Sequence, residues 1–269
     1  MKEHLHRLTE QAGDPLMRLS VAREYLQARM LESIQDTGTF NRWAFVGGTA
    51  LRFLFSIPRF SEDLDFSLIR AGEEAGFRRP LEEMRRVLSL EGYRIEIRVK
   101  ERRTVLAAWI RFPGLPYELG LSGRAAQVLS IKLEVDTKPP AGARIETSIV
   151  RRHVTLNLCH HDRPSLFAGK LHAVLSRPWA KGRDLFDLAW YLASPSRPEP
   201  NLTLLNAALM QTGWSGPEIT SSSWRAEIRK RLEKIDWQRA RADVGPFLER
   251  QRDLALVSAE ALEGLLAAE

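Results

Sequence analysis

Two stretches decide how this chain is read: Phe45-Val46-Gly47-Gly48-Thr49-Ala50-Leu51-Arg52 and, shortly after it, Arg59-Phe60-Ser61-Glu62-Asp63-Leu64-Asp65-Phe66-Ser67. The apolar run Trp43–Val46 reads as a short buried strand that enters the glycine pair, and Thr49–Phe55 as a helix stopped by Pro58. Glycines placed just ahead of a helix let backbone N–H groups approach an anion, and the positive end of the helix dipole adds to the attraction. Gly47 and Gly48 are therefore candidate nucleotide-binding positions. Thr49 offers a hydroxyl that caps the helix or bonds a phosphate oxygen. Leu64–Ile69 reads as a second strand, with Leu64 and Phe66 turned to the core. Asp63 and Asp65, two residues apart, then present both carboxylates on one face. Two like charges so placed are costly unless a cation lies between them. A hard ion suits that role: Mg²⁺, with Mn²⁺ as the alternative, held by one or two carboxylates and substrate phosphates. A Gly-Gly turn alone is usually structural, and it is the nearby Asp-x-Asp pair that points to a nucleotide site.

Working outward, Leu16, Leu19, Tyr25, Leu26 and Met30 recur at helical spacing within Asp14–Ile34. Glu73–Leu90 reads as an amphipathic helix. Tyr93–Lys100, Val105–Phe112 and Leu129–Asp136 read as strands, with Val154–Leu158 as a further short one. In Leu129–Asp136 the alternation is sharpest, with Ile131, Leu133 and Val135 facing one way and Lys132, Glu134 and Asp136 the other. From Ser165 the pattern turns helical: Leu166–Leu175, Asp184–Ala193, Leu202–Gln211, Trp224–Arg241 and Val244–Leu265. Ser194–Pro200 has the composition of a linker. The expected fold class is α+β: a small mixed β-sheet core flanked by helices, followed by a C-terminal helical domain. The expected domains are 1–160 and 161–269.

The 269 residues amount to about 1.8 average domain lengths. A hydrophobic fraction of 44% and a charged fraction of 28% exclude a disordered or collagen-like chain. No apolar run approaches a membrane span, and the first residues lack the apolar core of a signal peptide, so no membrane partner is expected. One cysteine, Cys159, excludes an internal disulfide framework and a cysteine-based zinc site, which points to a cytoplasmic home. His153, His160 and His161 near it fit no zinc spacing. The net charge of +6 favours a polyanionic partner such as nucleic acid. The basic segment Arg225–Arg241, with Trp224 and Trp237 for stacking, could follow a nucleic-acid backbone, although Glu227, Glu233 and Asp236 dilute its charge.

The two opening motifs resemble those of the AbiEii/AbiGii nucleotidyltransferase toxins, a group within the DNA polymerase β-like nucleotidyltransferase superfamily. A second block, Lys170-Leu171-His172-Ala173 followed by Lys181-Gly182-Arg183-Asp184-Leu185-Phe186-Asp187-Leu188, resembles that family's helix lysine and its Arg-Asp-x-x-Asp-Leu helix start. The resemblance spans about half the chain, Phe45 to Leu188. It implies an enzyme that transfers NMP from a nucleoside triphosphate to an acceptor, RNA and above all the tRNA 3′ end. It further implies the toxin of a toxin–antitoxin or abortive-infection phage-defence system, with a cognate antitoxin protein or kinase as partner. Asp63 and Asp65 would be catalytic and hold metal. Lys170 would neutralise charge on the triphosphate, and Asp184 would orient Lys170 or the acceptor, with both supplied to the active-site cleft by the helical domain. Asp187 is expected as a helix-surface or buried pairing residue. A third metal carboxylate from a neighbouring strand would be Glu134, with Asp136 as competitor. Ser61 and Arg52 join the nucleotide-binding set; Arg52 and Arg59 would contact phosphates or else pair with Glu62 or Asp63. The rival readings are transfer to a protein side chain or small molecule, and a catalytically idle relative that binds RNA or a partner protein.

Overall fold

The computed structural model describes residues 2–101, 104–196 and 198–267. Two helices lead the chain, α1 (Lys2–Gln11) and α2 (Pro15–Asp36). Asp14 starts α2 by accepting the N–H groups of Leu16 and Met17, ahead of a proline whose fixed φ suits a first helical turn. There follow β1 (Trp43–Val46), α3 (Gly47–Phe55), β2 (Leu64–Leu68), α4 (Arg78–Leu90), β3 (Glu96–Glu101), β4 (Val105–Pro113), a single turn α5 (Leu115–Glu118) and β5 (Val128–Asp136). The strands β6 (Ile145–Arg152) and β7 (Val154–His161) complete a seven-stranded mixed sheet of order β3-β4-β5-β2-β1-β7-β6. After it come α6 (Arg163–Ser176), α7 (Gly182–Leu192), α8 (Leu202–Gln211), α9 (Trp224–Leu232), α10 (Trp237–Val244) and α11 (Ala259–Ala267).

The chain forms two compact units. The first comprises residues 1–56, 60–139 and 145–160 and contains the sheet. The second comprises residues 161–269 together with two short excursions, 57–59 and 140–144.

In the first unit, β2 runs antiparallel to β1 and parallel to β5. The register sets Phe45 against Phe66, Phe66 against Val135 and Leu64 against Leu133, so one face of the central strands is wholly apolar. Phe45 and Phe66 stack at 5.2 Å between ring centres, and Trp43 lies 5.3 Å from Phe66. Because side chains alternate along a strand, packing this face against the core turns Asp65, Glu134 and their neighbours to the other one.

Several boundaries differ from the sequence expectation for physical reasons. The helix expected from Glu73 begins only at Arg78, because the buried Trp43 indole donates to the Ala75 carbonyl (2.7 Å) and Gly76 takes a positive φ. Trp224–Arg241 is two helices, since Asp236 accepts the Arg239 N–H and starts α10 afresh. Val244–Leu265 is mostly 3-10 turns, at Gly245–Phe247 and Gln251–Leu256, before α11. The strand β6 was not expected at all, as it is largely exposed on both faces and shows no apolar alternation. Ser194–Pro200 runs inside the second unit, where Arg163 donates to the hydroxyls of Ser194 (2.8 Å) and Ser196 (2.9 Å); Arg197 lies outside the described residues.

Candidate active site

In the first unit the candidate residues gather where β1 passes into α3. The helix begins at Gly47 itself, with Val46 ahead of it and no side chain capping its N-terminus. Gly47 has φ +80°, and a Cβ there would stand 2.5 Å from Oδ2 of Asp65. Glycine is thus required twice over, for the left-handed backbone and for the carboxylate lying against its Cα. Asp65 pairs in register with Val46 on one side and Glu134 on the other. Asp63 immediately precedes β2, and its backbone carbonyl accepts the Thr49 hydroxyl. Upstream, Gln27 donates to the Ser61 carbonyl (3.1 Å), and Arg23 lies 3.7 Å from Glu62.

The register separates the two competing third carboxylates. Glu134 stands beside Asp65, whereas Asp136 stands beside Ser67, further along β5. Asp136 accepts the Lys138 N–H (2.8 Å), and burial pushes its carboxyl above the ordinary value against that bond. Glu134 is 2.7 Å from Lys132, whose ammonium also lies over the Trp109 ring. Among the described residues no group of three or more His, Cys, Asp or Glu is gathered as a ready metal cage. The hard oxygen donors of Asp63 and Asp65 nonetheless fit Mg²⁺, which takes few carboxylates and completes its shell with water and phosphate oxygens.

Two expected nucleotide contacts are placed otherwise. Thr49 is fully buried with its hydroxyl committed to Asp63, so it neither caps α3 nor faces a phosphate. Arg52 is 3% exposed and paired with Glu24 (2.5 Å), with its guanidinium over the Phe60 ring at 4.5 Å. Glu24 also meets Arg152 (3.0 Å) and His153 (3.1 Å). Burial alone would raise its carboxyl, but the bond to His153 and the charges of Arg52 and Arg152 outweigh it and bring it down to about 2. Arg152 further donates to the Arg52 carbonyl (3.2 Å), tying α3 to β6. Nothing in the motifs pointed to Glu24. Its only signal is a charged residue within the buried stripe of α2, beside Ser20 and Gln27.

The second unit contains its own charged cluster. Lys170 on α6 lies 2.8 Å from Asp187 and 3.4 Å from Asp184, both on α7. Asp184 is also paired with Arg177. Arg59 holds Asp187 with two parallel bonds of 2.6 Å, from Nε to Oδ1 and from Nη2 to Oδ2. The Arg59 guanidinium is thus committed to Asp187. Asp187 is the buried pairing residue rather than a surface one. Burial would raise its carboxyl, yet Arg59 and then Lys170 hold it below the ordinary value. The Arg59–Asp187 pair is what motif reading missed; the two residues are 128 positions apart.

The remaining candidates have structural places. His160 meets the Ser148 hydroxyl (2.9 Å). Trp224 is 1% exposed, edge-on to Phe167 and donating to Glu199, so it is not a stacking platform for bases. No helix among the described residues is long and apolar enough to cross a membrane.

A family model described as nucleotidyl transferase AbiEii toxin, type IV TA system, matches residues 29–266. Among solved structures, MenT4, a nucleotidyltransferase toxin of Mycobacterium tuberculosis, is similar with a TM-score of 0.51 at 19% identity, covering 98% of this chain and 99% of that one. JHP933 from Helicobacter pylori aligns with a TM-score of 0.48 at 17% identity, over 91% and 94% of the two chains. No curated protein matches the sequence.

Proposed function

Since this chain belongs to the AbiEii family of nucleotidyltransferase toxins of type IV toxin–antitoxin systems, we propose that it transfers NMP from a nucleoside triphosphate to RNA, the tRNA 3′ end first among acceptors. The observation that carries this reading is the Asp63/Asp65 segment set against Gly47, where the carboxylate of Asp65 occupies the space a side chain would fill. Mg²⁺ held by Asp63 and Asp65 would offset charge on the α-phosphate and the departing pyrophosphate. Glu134, beside Asp65 in register, is the third carboxylate of the proposal and would exchange its Lys132 partner for that duty.

In the reaction the acceptor hydroxyl forms a bond to the α-phosphorus and loses its proton to solvent. The bond to the β-phosphate oxygen breaks, and pyrophosphate leaves with the electron pair. Little covalent work falls to the protein, so its residues act by placement and charge. Gly47 and Gly48 let the backbone at the start of α3 approach the triphosphate, and Ser61 lines the same segment. Lys170 balances negative charge on the triphosphate, and Asp184 orients Lys170 or the acceptor. Thr49 and Arg52 serve by holding Asp63 and α3 in place. The positive net charge suits an RNA acceptor. The biological setting we infer is cytoplasmic phage defence, with an antitoxin protein or kinase as the restraint.

The test is incorporation of each α-labelled nucleoside triphosphate into total cellular RNA with Mg²⁺, beside Asp63→Ala. Label is expected in a tRNA-sized band and absent with the variant. Label in protein, or none with any triphosphate, would overturn the RNA reading.

A further inference from the structure

Lys170 faces two carboxylates, and the structure does not treat them alike. Asp187 is completely buried and gripped by both arms of the Arg59 fork, and its Oδ2 is the nearer to the lysine, 2.8 Å against 3.4 Å. Asp184 is shared with Arg177, a side chain that is 39% exposed. A bidentate guanidinium–carboxylate pair fixes orientation as well as distance. The fork is itself rooted in the backbone: the Arg59 N–H donates to the Ile57 carbonyl (2.8 Å), Arg59 forms a β-bridge with Leu248, and the Glu249 N–H donates to the Pro58 carbonyl (3.2 Å). All of these residues lie in the second unit.

We propose that Asp187, clamped by Arg59, is what aims Lys170, and that Arg59 and Asp187 are positioning residues for nucleotidyl transfer, acting from a place substrate does not reach. A lysine has a flexible four-carbon stem and three rotating donors, so its aim has to come from its partner. A partner held by two short bonds in a dry site supplies a fixed direction; a partner contested by an exposed arginine does not. The orienting role expected of Asp184 therefore passes to Asp187, leaving Asp184 for Arg177 or the acceptor. An error of about 1 Å in a charge-balancing group is worth roughly 10²-fold in rate.

The inference rests on Lys170 acting on the triphosphate, and the variants separate the two claims. In the full-length chain, Lys170→Ala, Asp187→Asn, Arg59→Lys and the double variant Arg59→Met/Asp187→Leu are compared by thermal unfolding and by labelled-triphosphate incorporation into total RNA. The double variant replaces a buried ion pair with apolar groups, a change that buried pairs commonly tolerate without unfolding. Expected are a fall in kcat of about 10²-fold for Asp187→Asn and for the folded double variant, with KM for the triphosphate moving less than about threefold. Arg59→Lys, able to hold one carboxylate oxygen, keeps more activity than the double variant. Added to Lys170→Ala, Asp187→Asn costs nothing further. Should Lys170→Ala abolish transfer while the folded double variant keeps its kcat, Asp187 is merely structural and the proposal fails. Full activity of Lys170→Ala would instead remove the reading on which it rests.

Discussion

Gly47 carries two burdens that can be measured apart. Its positive φ costs any other residue about 1–2 kcal/mol, and the added Cβ would also push against Oδ2 of Asp65 at 2.5 Å. Gly213 has nearly the same backbone, φ +81°, but open space where a Cβ would go. Gly47→Ala is thus expected to lose at least as much conformational stability in urea unfolding as Gly213→Ala, since the contact adds to the strain, while only Gly47→Ala loses incorporation, by tenfold or more through the displaced Asp65. Equal activity of the two variants would show that the contact with Asp65 does not matter. At this scale the motif residues were legible, since glycine and the aspartates announce themselves by type and spacing. Their partners were not: Arg52 and Arg59 look alike beside the motif, and only the fold sends one to Glu24 and the other to Asp187.

Among the elements, the strands that bury one face were readable, β5 best of all because Leu129, Ile131, Leu133 and Val135 alternate cleanly with polar residues. The breaks were less readable. The missing first turns of α4 depend on a tryptophan some thirty residues upstream, and no local propensity encodes that bond. The packing of α7 on α10 is likewise non-local. A Cβ on Gly182 would stand 1.8 Å from the Ala240 carbonyl oxygen, so the two backbones touch through the glycine. Glycine to alanine in a helix ordinarily gains up to about 1 kcal/mol. Gly182→Ala reverses the sign and is expected to cost about 3 kcal/mol through overpacking. Gly264→Ala in α11, with nothing within 4 Å, keeps the ordinary sign. Chemical denaturation of both variants reads the contrast directly.

For the molecule as a whole, each unit is built round a buried carboxylate held below its ordinary value: Glu24, at about 2, in the first and Asp187 in the second. A carboxylate depressed by folding stabilises at pH above its unfolded value, and that contribution is lost as pH falls toward the folded one. For Glu24 the window runs from about 4.5 down to about 2, and the depression corresponds to about 3 kcal/mol. Urea midpoints are expected to hold steady near neutrality and to fall below pH 4.5. The gap between the wild type and Glu24→Gln should close over the same range. A gap that stays constant down to pH 3 would contradict the assignment.

The path of the chain also has a hereditary consequence. The second unit takes in residues 57–59 and 140–144 as well as everything from 161 onward. A single recombination event between two related genes at codon 161 would therefore inherit Lys170 and Asp187 from one parent and Arg59 from the other. Unless the two lineages agree at position 59, the offspring buries a carboxylate with no fork to hold it. Such genes can trade their last hundred codons only when a triplet far upstream already matches, so the helical half does not travel between lineages as a free cassette.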